Sequence, residues 1–111
     1  MTLKTQKEML MLNTADRISY KQRMILIHSY IYYNLDRNIM SDTKYDKLSY
    51  NLVDLIKQHP EEFRQSEYAS IFETFDGNSG FGLYEALTDE QKARIQQIAG
   101  YLCRSRVTKK K

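Results

Sequence analysis

The stretch YYNLDRNIMSDTKYDKL, residues 32–48, joins two helical patterns through a short turn. Before the turn, apolar residues recur at three- and four-residue steps over residues 14–36, and no helix breaker interrupts them. After the turn RNIMS (37–41), Ser41 or Asp42 can cap the next helix, because short polar side chains accept hydrogen bonds from a first helical turn. This spacing predicts a helix-turn-helix at the centre of the fold.

Each of the two helices carries an apolar stripe, which is typical of a helix packed against a core. The stripe of the first helix comprises Tyr20, Met24, Ile27, Ile31 and Leu35, broadened by Ile18, Ile25 and Tyr32. The stripe of the second helix comprises Tyr45, Leu48, Leu52 and Leu55, broadened by Val53 and Ile56. Pro60 predicts that the second helix ends near His59, since the residue before a proline avoids helical geometry.

Further helices are predicted on both sides of this unit. Residues 3–12 read as a short helix, after which Asn13 and Thr14 can cap the next one. A helix over 61–74 carries Phe63, Tyr68, Ile71 and Phe72, and the glycine-rich loop 75–82 follows it. A helical turn over 83–87 precedes the last helix, 88–104, which buries Ile95, Ile98, Ala99 and Leu102. Thr88 and Gln91 open that helix as a capping box.

The predicted fold is therefore all-α, a small bundle of about five helices, since no internal repeat or strand pattern is visible. We expect one helical domain over 1–104, of which 14–61 form the central unit, and a basic, disordered tail over 105–111. The lone cysteine, Cys103, is expected to face the core, and it favours a reducing compartment because it leaves no partner for a disulfide within the chain.

Composition and charge narrow the function classes. No apolar run reaches the roughly 18–20 residues of a membrane helix, and the N-terminus lacks a signal pattern, so we predict a cytoplasmic protein with no membrane partner. His28 and His59 stand far apart, which disfavours a zinc site. The net charge is +3, but the segment 104–111 holds five basic residues, and the remaining chain has 12 basic and 14 acidic ones. Only the tail could make weak contact with nucleic acid, and a solvated end without such a role is the favoured interpretation.

The helix-turn-helix also predicts a binding site. Asp42, Tyr45 and Asp46 share one helix face, which the turn folds towards Tyr32 and Tyr33. We call the resulting space, walled by these five residues, the aromatic notch. A planar cationic ring stacked on a tyrosine gains about 0.5–2 kcal/mol, and carboxylates balance its charge. Oxidised nicotinamide nucleotides have these features. The alternative is that Asp42 only caps its helix and that Tyr45 only fills the core.

The segment from His28 to Glu61 closely resembles the small N-terminal domain, called Ia, of bacterial NAD-dependent DNA ligases. That domain typically shows the pattern Y-Y-x-x-D-x-P-x-I-S-D-x-x-Y-D-x-L, followed by a helix that ends in H-P-E. The matching positions are Tyr32, Tyr33, Asp36, Ser41, Asp42, Tyr45, Asp46, Leu48, His59, Pro60 and Glu61. Asn38 replaces the usual proline and Met40 the usual isoleucine, two changes that affect the stiffness of the turn more than its chemistry.

The resemblance implies that the notch grips the nicotinamide mononucleotide (NMN) half of NAD. Tyr32 and Tyr33 would stack on the nicotinamide ring, Asp42 and Asp46 would serve its ribose, amide and charge, and Tyr45 would hold the ring or phosphate. His28, one turn before Tyr32, is a weaker candidate for contact with the ligand, and a histidine of no special role is the favoured interpretation.

The resemblance also implies that this sequence lacks the residue on which full ligases carry the adenylate. Full ligases carry an adenylated lysine in a K-x-D-G motif. This sequence has only TFDG at 74–77, which has Thr74 in the place of the lysine and lies too close to the turn, so we interpret it as a coincidence. The sequence thus predicts no catalytic residue and no catalytic cofactor, only a ligand.

Three functions follow from these observations. The first is a free-standing, non-catalytic binding module for NMN, NAD or a related ADP-ribose ligand, acting as a nucleotide sponge or sensor as some compact viral proteins do. The second is a protein-protein module that mimics the ligase domain and modulates a host DNA ligase or another NAD-handling enzyme. The third and weakest is a hydrolase or transferase that uses Asp42 or Asp46.

Overall fold

The computed structural model describes the backbone of residues 6–37, 39–77 and 82–109, and the side chains of 14–37, 39–77 and 82–104. Its elements are α1 (Gln6–Asn34), α2 (Asp42–Gln58), α3 (Pro60–Arg64), a 3₁₀ helix (Tyr84–Ala86) and α4 (Asp89–Lys109). The all-α prediction is confirmed, since the described residues contain no strand. Helix α1 is central because it contacts all the other helices. Among the described helices, none has both the length and the hydropathy that crossing a membrane requires.

Two predicted helices are a single helix in the structure. Helix α1 begins at Gln6 and passes through Asn13 and Thr14, so the predicted break at those residues is wrong. Asparagine and threonine cost only about 0.7 kcal/mol each inside a helix, which is too little to end one without a glycine or proline. Helix α4 likewise continues to Lys109, beyond the end predicted near residue 104. Residues 3–5, 78–81 and 110–111 of the predicted first helix, glycine-rich loop and tail lie outside the described residues.

The boundaries around α2 are confirmed and have local causes. Ser41 has extended backbone angles, φ −66° and ψ 155°, and its hydroxyl accepts a hydrogen bond from the N–H of Lys44 at 3.2 Å. Ser41, not Asp42, is therefore the cap. Helix α2 ends at Gln58, and Pro60 opens α3 at the first helical position, where a missing N–H carries no cost.

The segment after α3 departs from the predicted helix over 61–74. Helix α3 ends at Arg64, and residues 65–74 form successive turns. The side chain of Gln22, which is fully buried in α1, accepts a hydrogen bond from the N–H of Tyr68 at 3.1 Å and donates one to the hydroxyl of Ser66 at 2.9 Å. The Ser19 hydroxyl accepts from the N–H of Glu67 at 3.0 Å. These polar side chains satisfy the backbone that a continuous helix would have satisfied itself.

Four parts of the chain enclose the core, namely α1, α2, α4 and the turns at 65–74. Its buried members are Ile18, Ile25, Leu26, Ile27, Ile31, Leu52, Leu55, Tyr68, Phe72, Tyr84, Leu87, Ile95, Ala99 and Cys103. Two residues assigned to the stripe of α1 are not core, because Tyr20 is 56% exposed and Tyr32 is 52% exposed. Tyr20 stands two residues, or about 200°, from the buried Ile18, which places it on the opposite side of the helix. Tyr32 lies at the end of α1, where it faces a cavity.

The start of α4 follows the predicted capping box. The Gln91 side chain accepts a hydrogen bond from the N–H of Thr88 at 2.9 Å, and the Thr88 hydroxyl accepts one from the N–H of Gln91 at 3.1 Å. The 3₁₀ helix before α4 carries Tyr84, whose ring packs against the Tyr30 ring with 4.7 Å between the ring centroids. The Gln96 amide donates to the Tyr84 hydroxyl at 2.5 Å, so this short element is held against both long helices.

Gly77 and Gly82 both adopt φ +90°, a conformation that side chains other than hydrogen rarely tolerate. An added Cβ at Gly82 would meet open space, whereas one at Gly77 would lie 3.0 Å from the Tyr50 ring. We expect Gly82→Ala and Gly77→Ala each to lower the free energy of unfolding by about 1–2 kcal/mol, from backbone strain. The two losses should be similar, since the exposed Tyr50 ring can move aside. Urea unfolding measures both, and an unchanged Gly82→Ala would contradict the strain.

Candidate functional site

A cavity of about 300 Å³ lies where the end of α1, the turn and the start of α2 meet. The structure brings all six residues singled out from the sequence to its wall, namely His28, Tyr32, Tyr33, Asp42, Tyr45 and Asp46. Four further residues complete the lining, namely Ser29, Arg37, Ile39 and Met40. The aromatic notch therefore exists as a concave surface, and the contact of these residues with a ligand remains a prediction.

Tyr32 and Tyr33 form the aromatic part of the wall. Their ring centroids are 4.9 Å apart and the ring planes meet at 86°, an edge-to-face arrangement that aromatic pairs favour. Tyr32 is 52% exposed and Tyr33 is 47% exposed, so neither side chain is buried in the core. Aromatic surface that stays half exposed inside a cavity is available for a flat ligand.

Tyr45 is the rigid part of the wall. It is half-buried against the core, and its hydroxyl lies 2.7 Å from the hydroxyl of Ser29, which joins α2 to α1 across the notch. Burial raises the pKa of the Tyr45 phenol, although its hydrogen bond to Ser29 opposes the shift, and the neighbouring Tyr33 adds to it. Tyr45 thus packs against the core and also lines the cavity, so the two interpretations offered by the sequence are compatible.

The raised pKa of Tyr45 predicts a loss of stability at alkaline pH. The folded state keeps its phenol proton where the unfolded chain, with the ordinary pKa of 10.0, has lost it. The stabilisation is complete below that value and declines as the pH rises through the folded-state pKa. We expect Tyr45→Phe to cost about 1 kcal/mol near neutral pH, through the lost bond to Ser29, and to flatten the alkaline decline.

Urea midpoints measured from about pH 8 to 11 check this expectation. Tyr101→Phe is the matched control, because Tyr101 is 63% exposed on α4 and its replacement should change neither quantity. The decline has two further contributors, since burial also raises the pKa of Tyr68 and of Tyr30, so Tyr45→Phe should remove only part of it. Identical pH profiles for the wild type and Tyr45→Phe would contradict the assignment.

Asp42 and Asp46 supply the negative charge of the notch. Both are exposed on the first turns of α2, and neither forms an ion pair with a residue that the structure describes. Because Ser41 caps α2, Asp42 is not needed as the cap, and the interpretation that it only caps its helix is wrong. His28 reaches the cavity from α1 but is only 8% exposed, so it forms part of the inner wall.

Four residues of the lining were not predicted from the sequence, namely Ser29, Arg37, Ile39 and Met40. Ser29 had a signal, since it precedes Tyr32 by three residues and Tyr33 by four and therefore shares their helix face. The other three lie in or beside the turn, where no helical period defines direction. Asp36 takes a left-handed conformation with φ 52°, and the N–H of Arg37 returns to the carbonyl of Ile31 at 3.1 Å. This reversal of the chain brings the turn residues to the cavity.

Comparison with known proteins bears out the resemblance seen in the sequence. The profile of the family described as "DNA ligase-like, N-terminal NAD+-binding domain" matches residues 11–66. A DNA ligase of Heliobacterium modesticaldum (strain ATCC 51547 / Ice1) is 43% identical over 49 residues, which are 44% of this chain and 7% of that ligase. The chain thus spans a small fraction of the length of this relative. No solved structure matches the chain.

The matched range contains the whole aromatic notch, from His28 on α1 to Asp46 on α2. It also contains the Ser41 cap and the stop at Pro60 that define the helix-turn-helix. The family match covers half of the chain, and the chain belongs to the DNA ligase-like, N-terminal NAD+-binding domain family.

Proposed function

We propose that the aromatic notch binds the nicotinamide end of an oxidised nicotinamide nucleotide, NMN or NAD+, and that the chain is a non-catalytic binding module. One observation carries the proposal. Two half-exposed tyrosines and two carboxylates without ion pairs line one cavity, in a chain of an NAD+-binding domain family. A cationic aromatic ring is the ligand chemistry that such a lining suits best.

Each residue type has a role in this arrangement. Because the two ring planes are nearly perpendicular, one of the Tyr32 and Tyr33 rings would stack against the pyridinium ring and the other would contact its edge. A cation over a tyrosine face is attracted by its π-system. Asp42 and Asp46 would accept hydrogen bonds from the ribose hydroxyls or the amide, each worth about 1.5–3 kcal/mol to a charged acceptor. Tyr45, held by Ser29, would fix the depth of the notch.

The size of the cavity supports a mononucleotide as the group that is held. Its volume of about 300 Å³ lies at the small end of the range for ligand cavities, roughly 300–1,000 Å³. An NMN moiety of about twenty heavy atoms at roughly 0.3 kcal/mol each gives about −6 kcal/mol, or a Kd of tens of micromolar. The remainder of NAD+ would lie outside the notch.

The lining also supports binding without a serine, lysine or cysteine nucleophile. No lysine or cysteine lines the described cavity, and the hydroxyl of its serine, Ser29, is hydrogen-bonded to Tyr45. Activation of a serine requires a hydrogen bond to a general base, whereas the hydroxyl of Ser29 contacts Tyr45, a phenol whose pKa is raised by burial. A module that binds and releases its nucleotide unchanged would serve as a sponge or a sensor.

Calorimetry with NMN, NAD+, ADP-ribose and ATP tests the proposal. We expect NMN and NAD+ to bind with a Kd of tens of micromolar, and ADP-ribose and ATP, which lack the pyridinium ring, to bind at least tenfold more weakly. Binding of ADP-ribose without binding of NMN would overturn the role of the notch.

The same samples distinguish the competing functions. Chromatography of the NMN and NAD+ after incubation should show no free nicotinamide, and its release would indicate an enzyme that uses Asp42 or Asp46. A lack of binding by all four compounds, together with a stable complex with a purified NAD-dependent DNA ligase, would instead favour the protein-protein module.

A further inference from the structure

The lining of the aromatic notch carries charges of both signs. Asp42 and Asp46 are its carboxylates, and Arg37 carries its permanent positive charge. The Arg37 side chain forms no ion pair or hydrogen bond with a residue that the structure describes, and neither carboxylate forms an ion pair there. Because these opposite charges line one cavity without pairing with each other, they suit a ligand that carries both a positive and a negative charge.

The position of Arg37 is set by the backbone and not by its side chain. The left-handed residue Asp36, with φ 52°, turns the chain at the end of α1, and the N–H of Arg37 donates to the carbonyl of Ile31 at 3.1 Å. The guanidinium thus extends from a fixed point in the turn, whereas both carboxylates come from α2. Arg37 is exposed and lines the cavity, so its five donors are accessible to water and to a ligand.

A guanidinium is the side chain best suited to a phosphate, because its planar fork donates two parallel hydrogen bonds to two oxygens. NMN carries a cationic ring and an anionic phosphate at opposite ends of one ribose. We infer that Arg37 binds the phosphate of the ligand, so that the notch selects a zwitterionic mononucleotide unit over the corresponding nucleoside. This inference rests on the proposed function, since it assumes that the ring occupies the tyrosine side of the notch.

The test compares NMN with nicotinamide riboside, which differs only by the missing phosphate. In the wild type, NMN should bind about 10- to 100-fold more tightly than the riboside, and this preference should shrink as the salt concentration rises. Arg37→Ala should reduce the affinity for NMN to that for the riboside, while the riboside is held by the rings and carboxylates as before. Arg37→Lys should keep part of the preference, because a lysine retains the charge without the fork.

Two controls separate this inference from the proposed function. Arg17→Ala removes an exposed arginine of α1 that does not line the notch, and it should leave the preference unchanged. Asp46→Asn should weaken both compounds by the same factor. Equal binding of NMN and riboside by the wild type, or an equal loss of both in Arg37→Ala, would overturn the role of Arg37 and leave the nicotinamide site intact. Failure of both compounds to bind would overturn the proposed function itself.

Discussion

An Asp46→Asn variant is expected to bind NMN about 10- to 100-fold more weakly than the wild type. The amide keeps the size of the carboxylate and one acceptor oxygen, but it loses the negative charge that we propose to face the cationic ring. A hydrogen bond to a charged group is worth about 1.5–3 kcal/mol, which corresponds to that range of Kd. Asp46 lies on the cavity wall without an ion pair to any described residue, so the charge is available to the ligand. Calorimetry with NMN measures the change.

Asp54→Asn is the matched control for this experiment. Asp54 is exposed on the same helix, eight residues further along, and does not line the notch. The two variants carry the same net charge, so a general electrostatic effect would weaken NMN binding equally in both. Retained affinity in Asp46→Asn, or an equal loss in Asp54→Asn, would show that the Asp46 carboxylate does not face the ligand.

A Gln22→Leu variant is expected to lose about 2–4 kcal/mol of its free energy of unfolding. Leucine fills similar space but leaves the buried N–H of Tyr68 without its acceptor, which alone costs about 1–3 kcal/mol. The bond to the Ser66 hydroxyl is lost as well. A domain of this size is stable by only about 5–15 kcal/mol, so the change should be large in a urea or thermal unfolding curve.

Gln97→Leu provides the comparison. It is the same substitution, but Gln97 is exposed on α4, so no buried partner loses a hydrogen bond. Its effect should stay within about 0.5 kcal/mol of the wild type. A Gln22→Leu variant as stable as Gln97→Leu would mean that residues 65–74 do not depend on Gln22 for their conformation. Gln22 would then not explain why this segment is not a helix.

The parts of the fold that local signals control were predictable from the sequence. Ser41, Pro60 and the Thr88–Gln91 capping box act within three or four residues of themselves, and the structure places the helix boundaries where they predict. The turns at 65–74 could not be predicted in this way. They depend on Gln22, which is 44 residues from Ser66 in sequence, and nothing in a window around Ser66 reveals that bond.

The aromatic notch shows the same division. Tyr32 and Tyr33 on one helix, and Asp42, Tyr45 and Asp46 on the next, follow from helical spacing and from the chain reversal between them. Ser29 also followed from spacing and was overlooked. The turn residues had no such period, because their direction depends on one left-handed residue, Asp36, and most residue types would not adopt its φ of 52°.

An NMR titration of ¹⁵N-labelled protein with NMN tests most directly whether the notch is the binding site. We predict that amide signals of Tyr32, Tyr33 and Asp46 shift together and saturate at tens of micromolar NMN, while those of residues remote from the notch, such as Gln97 on α4, stay in place. Shifts centred on α4, or no shift at about 1 mM NMN, would contradict it.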